Sequence, residues 1–179
     1  VVANDSLQPL GTYISSNRRR TPKVVQMIFI CTVTIVVLML GWFLKDGDPA
    51  WGRLSVPGKE FPLPESFSWV YVLPPIAVLA LTQWGAPVST SFLVLSSFQP
   101  SNIGTLLTSS LAGYVLAFCV GLTAYGLGLW LLERSVFRRA QDSRNFNRIW
   151  YVLQWCSTGF LWSMWLVQDL ANIFVFLPR

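Results

Sequence analysis

The stretch SFSWVYVLPPIAVLALTQWGAPVSTSFLVLSSFQPSNIGTLLTSSLAGYVLAFCVGLTAYGLGLWLL, Ser66 to Leu132, runs for 67 residues without an Asp, Glu, Lys or Arg. A soluble domain would have to expose part of so long a run, and its surface would then lack the charged groups that keep it in solution. The rest of the 179-residue chain agrees: hydrophobic residues make up 53% of it, charged residues 12%, and the mean hydropathy is +0.51. The composition therefore predicts an integral membrane protein, all-α and polytopic. Cys31, Cys119 and Cys156 all fall in apolar segments as small hydrophobes, so no disulfide framework is implied. With no His in the chain, a zinc site is not expected.

Charges divide the chain on either side of that run. Residues 24–44 form an uncharged segment of about 31 Å at 1.5 Å per residue, matching a hydrocarbon core of about 30 Å. Arg18, Arg19, Arg20 and Lys23 precede it, and residues 133–148 hold five Arg against two acids. Both basic segments read as cytoplasmic, and the Gly- and Pro-rich segment 45–65 as an external loop. These Arg-rich segments are topology signals, and nucleic acid is not an expected partner. The uncharged run must then start outside and end inside. The break at Gly85-Ala86-Pro87 suggests a re-entrant hairpin over 66–99, followed by a transmembrane helix over 103–132. The remainder, 149–179, is a last transmembrane helix, Ile149 to Val167, that leads into a second polar motif.

Two polar hexads lie near the ends of the chain, Ala3-Asn4-Asp5-Ser6-Leu7-Gln8 and Val167-Gln168-Asp169-Leu170-Ala171-Asn172. Each sets an acid among amides beside a segment apolar enough for lipid, where an ionisable group is costly and marks a candidate site. The assigned topology makes the two copies inverted with respect to each other. Inverted repeats with broken helices are a transporter architecture. Asp5 and Asp169 would bind cations, Na⁺ being suited to hard oxygen ligands, and the carboxamides could serve either ion. Ser89-Thr90-Ser91, just after the break, offers hydroxyls and freed backbone N–H groups to an anion. Hydroxyls of this kind also bond back to their own helix, and an Asp near a helix end also serves as a cap. Gly113, Gly121, Gly126 and Gly128 read as packing faces on the 103–132 helix, and Trp84 as a space-filling residue beside the break. No nucleophile is paired with a base, so an enzyme is not expected.

Three blocks of this sequence resemble the inorganic phosphate transporter (PiT) family. Ala3-Asn4-Asp5-Ser6-Leu7-Gln8-Pro9-Leu10-Gly11-Thr12 is similar to its first signature, Gly85-Ala86-Pro87-Val88-Ser89-Thr90-Ser91 to its hairpin segment, and Leu166-Val167-Gln168-Asp169-Leu170-Ala171-Asn172 to its second signature. The resemblance implies a cation-coupled phosphate symporter of the plasma (inner) membrane working by alternating access, and a homodimer. It implies a phosphate site at Ser89, Thr90, Ser91, Asn4 and Gln168, with Thr12 nearby, and a cation site at Asp5, Gln8, Asp169 and Asn172. Inorganic phosphate, a monovalent cation (co-transported Na⁺ or H⁺) and the lipid bilayer are the implied partners, with no resident cofactor. Gln8 and Gln168 stand where the family has Asn, and Phe92 where it often has His. The chain opens on Val1 rather than Met and Asn4-Asp5 follows almost immediately, which leads us to expect a fragment cut within its first helix. Transport of another oxyanion such as sulfate, or a non-transporting subunit or sensor of the same fold, are the alternative readings.

Overall fold

The computed structural model describes residues 7–57, 61, 66, 68–84, 89–128, 130 and 144–177. The chain is all-helical, with no strand among those residues. Its helices are α1 (Leu7–Asn17), α2 (Lys23–Leu44), α3 (Leu73–Gln83), α4 (Thr90–Phe98), α5 (Ile103–Leu127) and α6 (Arg144–Phe174). They belong to two compact units, one comprising residues 1–103 and 157–179, the other residues 104–156.

In the first unit, α1, α2 and the C-terminal part of α6 pack through faces set by helical spacing. Leu10, Tyr13 and Asn17 recur at i, i+3 and i+7 on α1, and all three are buried. Gln26, Val37 and Gly41 are the buried positions of α2. Leu10 and Val37 share a core with Trp162, Leu166 and Leu170 of α6. Two contacts fix how α2 meets α6. The Trp162 indole N–H donates to Thr34 Oγ1 at 3.0 Å. At Gly159, a Cβ would fall 3.2 Å from the Phe29 ring, so the missing side chain is what admits that ring.

The basic turn between α1 and α2 is built from buried amides. Asn17 Nδ2 donates to the Tyr13 carbonyl at 2.9 Å, while Gln26 Nε2 donates to the carbonyls of Thr21 (2.9 Å) and Asn17 (3.3 Å). These bonds tie the end of α1 and the turn after it to the first turn of α2, the Asn17 carbonyl accepting also from the Arg20 and Thr21 N–H groups. They hold the turn that exposes Arg18, Arg19 and Arg20.

Beyond α2 the chain folds back over the helix end. The Asp48 carboxylate accepts from the Ala50 N–H (2.7 Å) and the Gly52 N–H (3.1 Å), closing a tight turn. Trp51 sits there at φ 59°, a left-handed conformation that a bulky residue adopts only under surrounding constraint. The constraint is visible at Gly41, where a Cβ would come within 2.7 Å of Trp51 Nε1. Seating the indole in that notch buries Ala50 and Leu54 and carries Arg53 toward α6.

A 3-10 turn at Trp69–Tyr71, opened by Ser68, precedes α3, so this helix starts at Leu73. Pro74 and Pro75 stand in its first turn, where their missing N–H groups cost nothing. Helices α3 and α4 contact each other as a helical hairpin, with Gly85–Val88 outside the described residues. Tyr71 stacks on Phe98 at 4.7 Å, and Phe98 meets Phe176 edge-on at 4.9 Å, which joins the hairpin to the chain just after α6. Trp84 is 82% exposed, so it fills no space within the chain.

In the second unit, α5 follows directly on the 3-10 turn Pro100–Asn102 and has no buried residue. A Cβ built on Gly113, Gly121, Gly126 or Gly128 meets nothing within 4 Å, so these glycines form no packing face among the described residues. Of the expected cytoplasmic loop 133–148, residues 133–143 lie outside the described residues and 144–148 form the start of α6. Within the 144–156 part of α6, Tyr151 and Trp155 lie 5.6 Å apart on one face.

Among the described residues two helical stretches are long and apolar enough to cross a membrane, Lys23–Leu44 and Pro100–Leu127. Both turn large hydrophobic side chains outward, including Ile28, Ile35, Phe43, Leu111, Phe118 and Leu122, as a lipid-facing helix does. The third span expected over 149–179 is not among them. Helix α6 is long enough at 31 residues, but Gln154, Ser157, Thr158, Ser163, Gln168, Asp169 and Asn172 dilute its apolarity. The second hexad also does not break this helix, which runs through it to Phe174.

Candidate functional site

Asp169 and Asn172 are three residues apart on α6, so their side chains lie on one face of the helix, the same face that carries Leu166 and Leu170 into the core. Burial follows from that placement: Asp169 is 9% exposed and Asn172 2%. Asn172 Nδ2 donates to Asp169 Oδ1 at 3.1 Å. The first turn of α4 adds a third member. Ser91 Oγ accepts from Asn172 Nδ2 at 3.0 Å and lies 3.4 Å from Asp169 Oδ1, to which it donates. A closed triangle of hydroxyl, carboxylate and carboxamide thus joins two segments about eighty residues apart in sequence.

One atom of this triangle is left over. Asn172 Oδ1 is buried and accepts no hydrogen bond. An unpaired buried carbonyl-type oxygen forgoes about 1–3 kcal/mol of solvation, and a bound cation is one means of recovering it. Asp169 and Asn172 together therefore offer hard oxygen donors, one charged and one neutral. No group of three or more His, Cys, Asp or Glu gathers among the described residues.

The other hydroxyls of the hairpin are differently engaged. Ser89 caps α4, its Oγ accepting from the Phe92 N–H at 3.3 Å. Thr90 is buried beside it. The Ser89-Thr90-Ser91 run is thus split between a helix cap, a buried hydroxyl and the carboxylate of Asp169. Gln168 turns its side chain outward and enters the site only through its main-chain carbonyl. Thr12 is exposed on α1, and its carbonyl accepts from Ser16 Oγ at 2.7 Å. Asn4 and Asp5 lie outside the described residues, as does the side chain of Gln8.

Arg53 was not legible as a site residue. Residues 24–44 and 103–127 hold no basic residue, but Arg53 Nη1 reaches over from the segment after α2 and donates to the Gln168 carbonyl. Burial pushes its guanidinium below the ordinary value, and the Asp169 carboxylate acts in the opposite direction. The site therefore contains its own positive charge. The one local signal was an Arg set among apolar neighbours, Trp51-Gly52-Arg53-Leu54, in a loop otherwise rich in turn residues.

This geometry stands without a relative. No family model, curated protein or solved structure matches the chain. The functional argument rests on the chain's own residues.

Proposed function

We propose that this chain is the transport domain of an integral membrane protein of the plasma (inner) membrane, a cation-coupled inorganic phosphate symporter built on an inverted repeat and working by alternating access. The observation that carries the reading is the meeting of Ser91, Asp169 and Asn172, in which a hydroxyl-bearing hairpin touches the second polar hexad around a buried acid. Asp169 and the unpaired Asn172 Oδ1 are the ligands for Na⁺ or another monovalent cation, with Asp5 and Gln8 as their counterparts from the first hexad. Phosphate binds at the start of α4, where Ser89, Thr90 and the first-turn N–H groups are concentrated. Neutralising part of its charge with the co-bound cation makes each ion's binding favour the other's, which is the basis of coupling.

The decisive measurement is uptake of labelled phosphate into proteoliposomes under an imposed Na⁺ or H⁺ gradient. Wild type should accumulate phosphate against its gradient, Asp169→Asn should lose coupled uptake, and excess sulfate should compete poorly. Near-normal coupled uptake by Asp169→Asn would remove that acid from the mechanism. A specific observation favours a second reading, in which the fold binds the ions without transporting them: α6 passes unbroken through the hexad. Saturable phosphate binding with no uptake in either direction would select it.

A further inference from the structure

Asp169 is the acid of the polar triangle, and Arg53, held at the neighbouring Gln168 carbonyl, is a cation whose charge acts on it. The guanidinium is not locked to the carboxylate by a two-pronged pair. Its hydrogen bond goes to the neighbouring main-chain carbonyl of Gln168. Its tether is a loop of tight turns, with Trp51 and Gly52 both at positive φ and Asp48 closing the bend. Arg53 is also only half-buried, whereas Asp169 and Asn172 are buried. A cation entering beside Asp169 would meet a like charge already in place, and the two could not both stay at close range in a poorly solvated site without mutual repulsion.

We propose that Arg53 is a tethered, exchangeable cation that competes with the free monovalent cation for Asp169, so that ion binding expels the guanidinium and the empty site takes it back. This inference rests on the reading of Asp169 and Asn172 as a cation site, and it adds a regulator of that site supplied by the external loop. Arg53 thereby lowers the site's affinity for the free ion and keeps the acid neutralised when none is bound.

The test is Na⁺ titration of the purified full chain, followed by protection against thermal unfolding, with choline chloride holding ionic strength constant. Arg53→Gln should lower the Na⁺ dissociation constant at least about tenfold, by removing the competing charge. Arg53→Lys, which keeps the charge, should stay within about threefold of wild type. Added guanidinium ion should weaken Na⁺ binding to Arg53→Gln competitively, a behaviour that a purely structural role for Arg53 would not produce. A second measurement needs no variant: saturating Na⁺ should speed modification of Arg53 by phenylglyoxal in wild type, as read by peptide mass spectrometry. Unchanged or weaker Na⁺ affinity in Arg53→Gln, or a modification rate indifferent to Na⁺, overturns the competition while leaving the cation site standing. Absence of any Na⁺ response in wild type, Asp169→Asn and Arg53→Gln alike overturns the cation site and the competition together.

Discussion

The contact between Ser91 and Asn172 can be tested as an energy. Ser91→Ala removes the acceptor of a 3.0 Å bond and the donor of a 3.4 Å bond, while Asn172 Nδ2 keeps its 3.1 Å bond to Asp169. The first lost bond is a neutral N–H···O interaction at good distance, and the second is charge-assisted but long, so the single substitution should cost about 1–2 kcal/mol. Asn172→Ala removes both donor bonds but also deletes the buried Oδ1 that has no partner, and this relief offsets part of the loss. The term shared by the two substitutions is the 3.0 Å bond itself. A double-mutant cycle should therefore return a coupling of about 1 kcal/mol, roughly a fivefold factor in the unfolding equilibrium. The assay is reversible unfolding in mixed micelles of increasing SDS fraction, followed by far-UV circular dichroism. Pairing Ser91→Ala with Ser15→Ala gives the control, since Ser15 is exposed and bonds only to the Thr12 carbonyl within α1. Non-contacting pairs add to within about 0.3–0.5 kcal/mol. Additivity of that kind for Ser91 and Asn172 would refute the meeting of hairpin and hexad, and the site would go with it.

Three further outcomes probe how the site is held. Gly159→Leu places side-chain atoms where the Phe29 ring lies 3.2 Å from a bare Cβ, and should cost about 1–3 kcal/mol in the same unfolding assay. A neutral result would mean that α2 and α6 do not approach there. Gln26→Leu removes the side-chain donor to the Thr21 carbonyl, while the Asn17 carbonyl keeps the Arg20 and Thr21 N–H groups, and should destabilise by about 1–3 kcal/mol, with faster backbone amide exchange in residues 17–23 as its local signature. Gly121→Ala on α5 meets open space and should be neutral or stabilise by up to about 1 kcal/mol through helix propensity. A loss above 1 kcal/mol would show that another surface packs closely on that face.

Helical class and apolar spans were legible because they depend on local composition. An uncharged run of apolar residues satisfies its backbone groups most simply within its own helix, whatever it packs against, and Lys23–Leu44 and Ile103–Leu127 are helices of that kind. The start of α4 was legible for a similar reason, since Ser89 follows a Gly-Ala-Pro break and caps the helix with its own hydroxyl. How far α6 runs was not legible, because patterning shows that polar residues interrupt an apolar stretch but not whether the helix tolerates them. Here Asp169 and Asn172 face inward and bond to each other and to Ser91, so the helix continues through the hexad.

What the sequence determined by itself is thus an all-helical chain with long apolar helices and polar hexads worth suspecting, all consequences of residues that are neighbours along the chain. Only the tertiary structure decided which of those polar groups meet. It brought Ser91 to Asp169 across 78 positions, left Asn172 Oδ1 without a partner, and seated Trp51 in the Gly41 notch so that Arg53 reaches a carbonyl 115 residues away. The physical reason is that each depends on packing between distant segments. The absent Cβ of Gly41 is as much a part of the Arg53 contact as the guanidinium, and neither residue reports that relation in its own stretch of sequence.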